Sequence, residues 1–415
     1  MRRKITALSA GLKNEKLREL FLKCFFSTLD STVLESEGMP FVFTGDIPAM
    51  WLRDSSAQVL HYLPFAREDK EVACFVRGLI RRQLTFFMTD PYANAFNAEA
   101  NGRGHHGDIV DKYNPWVWER KWEIDSPCYI FWLIEQYVAV TDDFSVFDED
   151  YFKAAELLLH LFKIEQNPET SSYIHKRYGN GAHISDTLIN NGRGGKCRYT
   201  GLVRSAYRPS DDACRYGFFI PGNMFAVVAL RSIGRVARHE KQELAKKAVA
   251  LCEEIEKGIR EYGIIEEDGE TFFAYEVDGL GNSLFMDDAN VPSLLAAPLI
   301  GFCKNDDELY LRTRKRVLSY RNPFYFEGKY AKGIGSPHTP DGYVWHIGLC
   351  VQALTSNNEK EIQEIINTLC STDADTGQMH EGFNADNPSE YTRPWFAWAN
   401  SMFALCIMKK VLKWE

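Results

Sequence analysis

The sequence lacks the features that mark membrane and secreted proteins. It contains no run of about 18 apolar residues, the length that a membrane-spanning helix requires. The start, "MRRKITALSAGLKNEKL", has no apolar signal-peptide core. No N-x-[ST] glycosylation sequon occurs, because the proline in Asn387-Pro388-Ser389 excludes that site. From these absences we expect a cytoplasmic protein with no membrane partner.

An excess of positive charge and a disulfide framework are also missing. The formal net charge of -9 leaves no basic surplus to meet phosphate groups, so we expect no nucleic-acid partner. The 10 cysteines are scattered along the chain, and several lie in apolar runs, as Cys252 and Cys350 do. This distribution is typical of buried thiols in a reducing compartment.

Sequence motifs for phosphate binding and for serine catalysis are absent. The chain has no G-x-x-x-x-G-K-[ST] loop, no G-x-G-x-x-G after a predicted strand and no G-x-S-x-G elbow. The run from His105 to Asp108, "HHGD", could ligate a metal, but it lacks a helical i, i+4 pair and is interpreted as a solvated loop. We therefore expect no cofactor and no metal.

The chain is instead rich in segments with helical periodicity. Apolar residues recur at three- and four-residue spacing in twelve segments: 14–33, 54–66, 69–89, 126–141, 149–165, 221–238, 239–262, 289–302, 306–319, 344–356, 358–372 and 394–413. Short links alternate with long loops between them. Six stacked αα-hairpins fit this alternation, and if they close into a ring, all six long loops emerge at one end. An open solenoid or an ordinary α-bundle fits the periodicity as well.

The fold class indicated by these segments is all-α. Strand-like alternation is short, near residues 271–275 and 323–330, and predicts small β-hairpins within the loops. No shift in composition divides the 415 residues, so we expect a single domain over residues 1–415.

The six long loops share an unusual composition. They contain "FTGDIPAMWLR", "NPWVWERKWEID", "YRPSDDACRYGFFIP", "YEVDGLGNSLFMDD", "GIGSPHTPDGYV" and "HEGFNADNPSEYTR". Aromatic rings beside carboxylates, Asn and Arg suit a neutral sugar, which has an apolar face to cover and many hydroxyl groups to satisfy. The loops therefore predict a carbohydrate pocket. We expect Trp51 to line it and Trp398, inside a helical segment, to belong to the core.

Hydrolysis of a glycoside requires two carboxyl groups, one protonated and one ionised. The adjacent pair Asp211 and Asp212 could hold one proton between them, because neighbouring carboxylates disfavour each other's ionisation. The same "PSDD" stretch also reads as an ordinary turn. Glu381 is the only Glu in a Gly-flanked loop directly before the last helical segment.

Several polar loop residues also have a structural interpretation. Asp54, Asp125 and Asp288 stand where helix N-caps are expected, so capping and ligand contact fit each of them equally. Arg53 and Arg393 fit either a sugar site or ion pairs that brace the loops.

Longer motifs extend these observations. The stretches "FTGDIPAMWLRDSS", "RPSDDACRYG", "YEVDGLGN", "MDDANVPSLL", "MHEGF" and "YTRPWFAWANSMF" occur in this order between residues 41 and 405. They resemble the exo-acting α-1,6-mannosidases of glycoside hydrolase family 125. The resemblance implies an (α/α)6 barrel, in agreement with twelve helical segments. It also implies metal-independent release of non-reducing terminal α-1,6-linked mannose with inversion of configuration.

The resemblance further implies roles for individual residues. The general acid would be an Asp of "RPSDDAC", Asp211 or Asp212, and the general base Glu381 of "MHE". We favour Asp211 as the acid, with Asp212 keeping it protonated or binding hydroxyl groups. Substrate contacts are expected from Asp46, Trp51, Arg53, Asp54, Asp125, Arg208, Asn290, His338, Trp345, His380 and Arg393.

The expected partner is a small-molecule substrate, an α-1,6-mannooligosaccharide or a fragment of an N-glycan. Three other activities stay open at this point. A glycoside phosphorylase would need a phosphate site, a mannose-binding protein would bind without hydrolysis, and a metal-dependent α-mannosidase would lose activity to a chelator.

Overall fold

The computed structural model describes residues 1–179 and 183–414. Within them the chain forms fourteen α-helices, joined by loops with short strands. The helices are α1 (Arg2–Ser9), α2 (Glu15–Ser31), α3 (Leu52–Ala57), α4 (Leu63–Ala66), α5 (Lys70–Thr89), α6 (Asp125–Thr141), α7 (Glu149–Glu165), α8 (Ile189–Gly192), α9 (Ile220–Ala237), α10 (Gln242–Tyr262), α11 (Glu308–Val317), α12 (His346–Leu354), α13 (Glu359–Ser371) and α14 (Ala397–Lys410).

Burial alternates along this series of helices. Helices α3, α9, α12 and α14 are buried on nearly every side, whereas α2, α5, α7, α10 and α13 bury a single face. The sequences explain the difference. Helix α9, "IPGNMFAVVALRSIGRVA", is apolar almost all round, while α10, "QELAKKAVALCEEIEKGIREY", carries its charges on one side.

The two ends of the chain meet in the fold. Helix α14 packs against α2, α3 and α12, and α6 packs against α3 and α9. Beside α14, Gly45 pairs with Phe396, and the N–H of Ala397 donates to the carbonyl oxygen of Thr44 over 2.9 Å. Only glycine suits this crossing, because Gly45 has φ +132° and an added Cβ would lie 2.4 Å from the carbonyl oxygen of Trp395.

One predicted helix is wrong. Residues 289–302 form a series of buried turns, and eleven of the twelve predicted segments contain a helix. The carboxylate of Asp287 accepts the N–H groups of Leu294 and Leu295 at 2.8 and 2.9 Å, which diverts them from a helical ladder. The two prolines of the segment have no N–H to donate. Helix α1, by contrast, was not predicted.

Short antiparallel strands occur in the loops. They are β1 (Val33–Ser36), β2 (Met39–Val42), β3 (Met50–Trp51), β4 (Ala95–Phe96), β5 (Asp108–Val110), β6 (Val117–Glu119), β7 (His175–Arg177), β8 (Phe218–Phe219), β9 (Ile264–Glu267), β10 (Glu270–Phe273), β11 (Glu276–Val277), β12 (Ser283–Leu284), β13 (Tyr325–Glu327), β14 (Lys332–Ile334), β15 (Tyr343–Trp345), β16 (Gly382–Asn384) and β17 (Asn387–Tyr391). Hairpins β9–β10 and β13–β14 confirm the two predicted ones. The prediction of a helical fold with small β-hairpins in its loops is thus confirmed.

Three small sheets join loops that are distant in the sequence. Strand β4 lies between β3 and β6, β11 lies between β8 and β12, and β16 lies between β15 and β17. Two of these sheets carry residues of the site described below, Trp51 on β3 and Trp345 on β15.

Two observations concern the environment of the protein. No helix in residues 1–179 and 183–414 combines the length and the apolar character needed to cross a bilayer. All ten cysteines are free thiols, and most of them are buried.

Candidate active site

Residues from four of the six long loops, together with Asn290 from the segment of buried turns, line a cavity of about 250 Å³. This volume is slightly below that of the smallest typical ligand pockets, about 300 Å³. The cavity therefore suits a single sugar ring better than a chain of sugars. Nine of the predicted site residues line it: Trp51, Arg53, Asp54, Asp211, Asn290, His338, Trp345, Glu381 and Arg393.

Glu381 directly precedes β16 and faces Arg393. Its residue is 7% exposed, and Arg393 Nη1 lies 3.8 Å from Glu381 Oε1. Burial raises the pKa of the Glu381 carboxyl, against the lowering by Arg393 and His338. Arg393 is held in turn by Asp46, whose two carboxylate oxygens accept its Nε–H at 3.0 and 3.1 Å. Asp46 itself does not line the cavity.

The adjacent residues Asp211 and Asp212 have different surroundings. Asp211 lines the cavity, whereas Asp212 is 4% exposed and does not. Asp212 Oδ2 accepts the hydroxyl of Ser210 at 2.9 Å, and its Oδ1 lies 4.0 Å from His338 Nδ1. Burial raises the pKa of Asp212, but His338, Ser185 and Ser210 together outweigh it and set the pKa at about 2. Asp212 is therefore ionised at neutral pH.

His338 is the cationic partner of Asp212 at the cavity wall. Burial lowers its pKa, but Asp212, Asp211 and Glu381 raise it to about 9. The imidazole is therefore protonated at neutral pH, and it places a positive charge among three carboxyl groups.

Arg53 lines the cavity and forms ion pairs with three carboxyl groups. Its Nη1 lies 2.7 Å from Glu123 Oε2 and 3.2 Å from Asp125 Oδ2, and its Nε lies 3.7 Å from Asp54 Oδ2. Burial raises the pKa of all three carboxyl groups against the lowering by Arg53, in the case of Asp54 to about 6. One guanidinium thus forms ion pairs with three carboxyl groups. Of the three residues, only Asp54 lines the cavity.

Three tryptophans line the cavity. The Nε1–H groups of Trp51 and Trp398 have no hydrogen-bond partner within the described part of the chain, whereas Trp345 Nε1 donates to Thr339 Oγ1 over 2.9 Å. Trp398 is 1% exposed at the start of α14, and the Arg53 guanidinium lies 5.9 Å from its ring centroid. Trp398 is therefore buried, as expected for a core residue, but it also lines the cavity.

Asn290 reaches the cavity from the segment of buried turns. Its backbone N–H and side-chain Nδ2 both donate to Asp288 Oδ1, at 3.0 and 2.9 Å. Asp288 caps no helix. Nor do Asp54 and Asp125, since α3 and α6 follow Trp51 and Ile124 as their N-caps. The capping interpretation is therefore wrong for all three aspartates.

Several predicted contact residues lie around the cavity rather than in its wall. Asp125 is fully buried against Arg53. Arg208 donates to Glu276 over 2.6 Å, and the other oxygen of Glu276 accepts two backbone N–H groups of the loop that follows Asp212. His380 stacks on Tyr391 with ring centroids 3.8 Å apart. These residues hold the loops that carry the cavity residues.

The sequence analysis missed Glu123, which pairs with Arg53 outside the cavity wall. It also missed several residues that line the cavity. The available signal was its loop, "NPWVWERKWEID", which carries two glutamates and an aspartate near three tryptophans. Nothing in that loop separates Glu123 from its neighbours, because its role depends on Arg53 from another loop. The lining residues missed, besides Trp398, are Thr44, Ile47, Pro209, Ser210, Thr339, Thr392 and Phe396.

Among residues 1–179 and 183–414, no group of three His, Cys, Asp or Glu side chains is arranged to hold an ion. In the "HHGD" run, His105 Nε2 lies 3.6 Å from Glu119 Oε1, and Asp108 pairs with Arg177.

Comparisons with known proteins give matches over nearly the whole chain. A family model described as metal-independent alpha-mannosidase (GH125) matches residues 14–408. The meiotically up-regulated gene 157 protein of Schizosaccharomyces pombe is 38% identical over 421 residues, covering 96% of this chain and 82% of that protein.

Two solved structures are similar to this chain. One is a metal-independent α-mannosidase from Streptococcus pneumoniae in a non-productive substrate complex with α-1,6-mannobiose. It is 43% identical, the match covers 99% of this chain and 98% of that chain, and the TM-score is 0.96. A bacterial glucoamylase complexed with acarbose shares the fold alone, with 11% identity, a TM-score of 0.61 and coverage of 95% of this chain and 56% of that chain.

Proposed function

Since the chain belongs to the family of metal-independent α-mannosidases, GH125, we propose that it releases non-reducing terminal α-1,6-linked mannose with inversion of configuration. The substrates would be short α-1,6-mannooligosaccharides or fragments of N-glycans. The α-1,6 linkage is supported by the Streptococcus pneumoniae relative, which was solved with α-1,6-mannobiose.

The observation that carries the proposal is that Asp211 and Glu381 line one small cavity from two different loops. An inverting glycosidase needs two carboxyl groups about 6.5–9.5 Å apart, with room for a water molecule between one of them and the anomeric carbon. The cavity, sized for one sugar ring, also suits an enzyme that removes a single terminal residue.

In the proposed mechanism a single displacement occurs at the anomeric carbon. Glu381 takes a proton from water as the water oxygen forms its bond to that carbon. Asp211 gives its proton to the glycosidic oxygen as the old bond breaks, and the leaving sugar departs with a free hydroxyl group. We assign the acid role to Asp211 rather than Asp212, because Asp212 is ionised and lies outside the cavity wall.

The remaining wall residues would bind the terminal mannose. Trp51 would cover one face of the ring and offer its free Nε1–H to a hydroxyl group. Asp54 and Arg53 would hold further hydroxyl groups, and Asn290 would do so from the opposite segment. Asp212 would act indirectly, by keeping His338 charged.

We infer the complete architecture from the helix contacts. Because α14 contacts both α12 and α3, the buried helices are expected to close into an (α/α)6 barrel, with the turns of residues 289–302 in place of one inner helix. Residues 1–415 would then form a single catalytic domain.

The proposed activity is tested by proton NMR of the protein acting on α-1,6-mannobiose in the presence of EDTA. We expect β-mannose as the first product, before mutarotation. Initial α-mannose would overturn the assignment of Glu381 as base. Turnover that requires inorganic phosphate would indicate a phosphorylase, and binding without any product would indicate a mannose-binding protein.

Two substitutions should move the acidic limb of the pH profile in opposite directions. Glu381 must be ionised to act as base, Arg393 lowers its pKa and Asp46 raises it. Arg393→Met is therefore expected to shift the acidic limb of kcat/KM to higher pH, and Asp46→Asn to lower pH.

Asp46→Ala should also reduce turnover strongly with the fold intact, because Arg393 loses its bidentate partner.

Circular dichroism of the three variants would confirm that the fold is kept. The surface variant Arg67→Met, which removes the exposed pair with Asp142, is the matched control and should leave the profile unchanged. Acidic limbs that move in the same direction in the Arg393 and Asp46 variants would contradict the assignment of Glu381 as the ionising base.

We also propose a cytoplasmic location. The ten free thiols support a reducing compartment. Fractionation of the source cells tests this, and recovery of the protein from the culture medium of intact cells would contradict it.

A further inference from the structure

We propose that Lys121 is a positioning residue for the general acid: its ammonium group holds the backbone of Asp211 so that the carboxyl group faces the cavity. The inference rests on the acid role proposed for Asp211. Lys121 belongs to the second long loop, 90 positions before Asp211, and is not part of the cavity wall.

The ammonium group of Lys121 is buried and held on several sides. Its side chain is 1% exposed. Nζ donates to the backbone carbonyl oxygen of Asp211 over 2.7 Å and to Asp186 Oδ1 over 2.8 Å, and lies 3.8 Å from Glu119 Oε1. The ring of Tyr207 lies 5.1 Å away. A buried ammonium is tolerated only with such partners, so its position is closely determined.

The backbone of Asp211 needs an anchor of this kind. Asp211 has φ +67°, in the left-handed region that favours glycine. The Asp211 N–H donates to the Arg208 carbonyl oxygen over 2.9 Å, and the Arg208 N–H donates to the Asp212 carbonyl oxygen over 2.8 Å. These bonds close the turn on itself, and Lys121 attaches it to the rest of the fold.

Asn94 completes the arrangement at the carboxyl group. Its Nδ2 makes a long hydrogen bond of 3.5 Å to Asp211 Oδ1 and a shorter one of 2.9 Å to Glu119 Oε2. Its Oδ1 accepts the backbone N–H of Lys121 at 3.1 Å. Asn94 is fully buried, so Asn94 and Lys121 orient the side chain and the backbone of Asp211 together.

This arrangement predicts an effect confined to proton donation. A sugar leaving group requires the proton of Asp211, whereas fluoride leaves with little help from an acid. A misplaced acid should therefore impair hydrolysis of α-1,6-mannobiose and spare α-mannosyl fluoride. General destabilisation or loss of sugar binding would impair both substrates alike.

The experiment compares kcat/KM for the two substrates in Lys121→Met, Asn94→Ala and Asp211→Ala. For Lys121→Met we expect a loss of about 10²-fold on mannobiose, the effect of a displacement of about 1 Å. The loss on α-mannosyl fluoride should stay below about tenfold. Asp211→Ala should show the same selectivity with a larger loss, and Asn94→Ala a smaller one.

Arg82→Met is the matched control. Arg82 is also a buried cation that donates to backbone carbonyl oxygens, those of Met39 and Pro40 among them, but it lies away from the cavity. Its loss should lower the melting temperature without changing the ratio of the two activities. If Lys121→Met does not fold, Asn94→Ala carries the test.

The outcomes separate this inference from the proposed function. If Asp211→Ala loses both activities equally, Asp211 is not the acid, and the inference is overturned with that assignment. If Asp211→Ala shows the selectivity and the folded Lys121 and Asn94 variants do not, the acid assignment holds and the positioning role is overturned.

Discussion

Glu381→Gln is expected to reduce kcat on α-1,6-mannobiose by about 10²–10⁴-fold, the usual contribution of a positioned general base. The amide keeps the size of the side chain but cannot accept a proton from water. Because Gln has the shape of Glu and Arg393 keeps Asp46 as its partner, the substitution should leave the fold and the cavity shape unchanged. Steady-state kinetics at the pH optimum measure the loss, and KM should change little.

Glu390→Gln provides the control in the same sheet. Glu390 lies on β17 at the surface, where its carboxylate accepts the amide groups of Asn384 and Asn387 at 2.8 and 2.9 Å. Its replacement should not affect turnover. Near-normal kcat in a folded Glu381→Gln protein would place the base elsewhere in the cavity.

Arg53→Met should have the largest effect on stability. It removes the cation that forms ion pairs with Glu123, Asp125 and Asp54, all of them buried. Breaking a buried ion pair by removing one partner costs about 3–5 kcal/mol in the free energy of unfolding, because an uncompensated charge is left inside. Chemical denaturation should show this loss, whereas loss of the exposed Arg67–Asp142 pair should change stability by less than about 1 kcal/mol.

The loss should depend on pH in a defined direction. Burial raises the pKa of these carboxyl groups and Arg53 lowers it, so without Arg53 their folded-state pKa rises further above the unfolded value. The folded variant then binds protons that the unfolded chain does not, and its stability recovers as pH falls. The difference in melting temperature from the wild type should be larger at about pH 7.5 than at about pH 5. A difference that grows toward low pH would contradict this account.

Helices could be predicted where the pattern is local. The alternation of charged and apolar positions in α10 and the continuous apolar character of α9 depend only on residues three or four positions apart, so both were predicted within a few residues. The same periodicity wrongly predicts a helix at residues 289–302, which form turns. There the carboxylate of Asp287, outside the repeat, accepts two backbone N–H groups, and periodicity carries no information about such a bond.

The candidate site was predictable in composition but not in geometry. The loops indicated a sugar pocket, and nine predicted residues line one cavity. The different surroundings of Asp211 and Asp212 could not be read from adjacent positions, because His338, which lies 4.0 Å from Asp212, comes from a loop more than a hundred residues later. The position of Arg393 beside Glu381 depends likewise on Asp46 at the other end of the chain.

The sequence by itself determined the helical class, the loops that carry the chemistry and the family to which the chain belongs, because periodicity and long motifs are properties of neighbouring residues. Only the tertiary structure decided which carboxyl groups reach the cavity and which are buried beneath it around Arg53. It also decided which basic groups control their ionisation. Burial and charge pairing act between residues that are close in space and distant in the chain, so they appear only once the loops have been brought together.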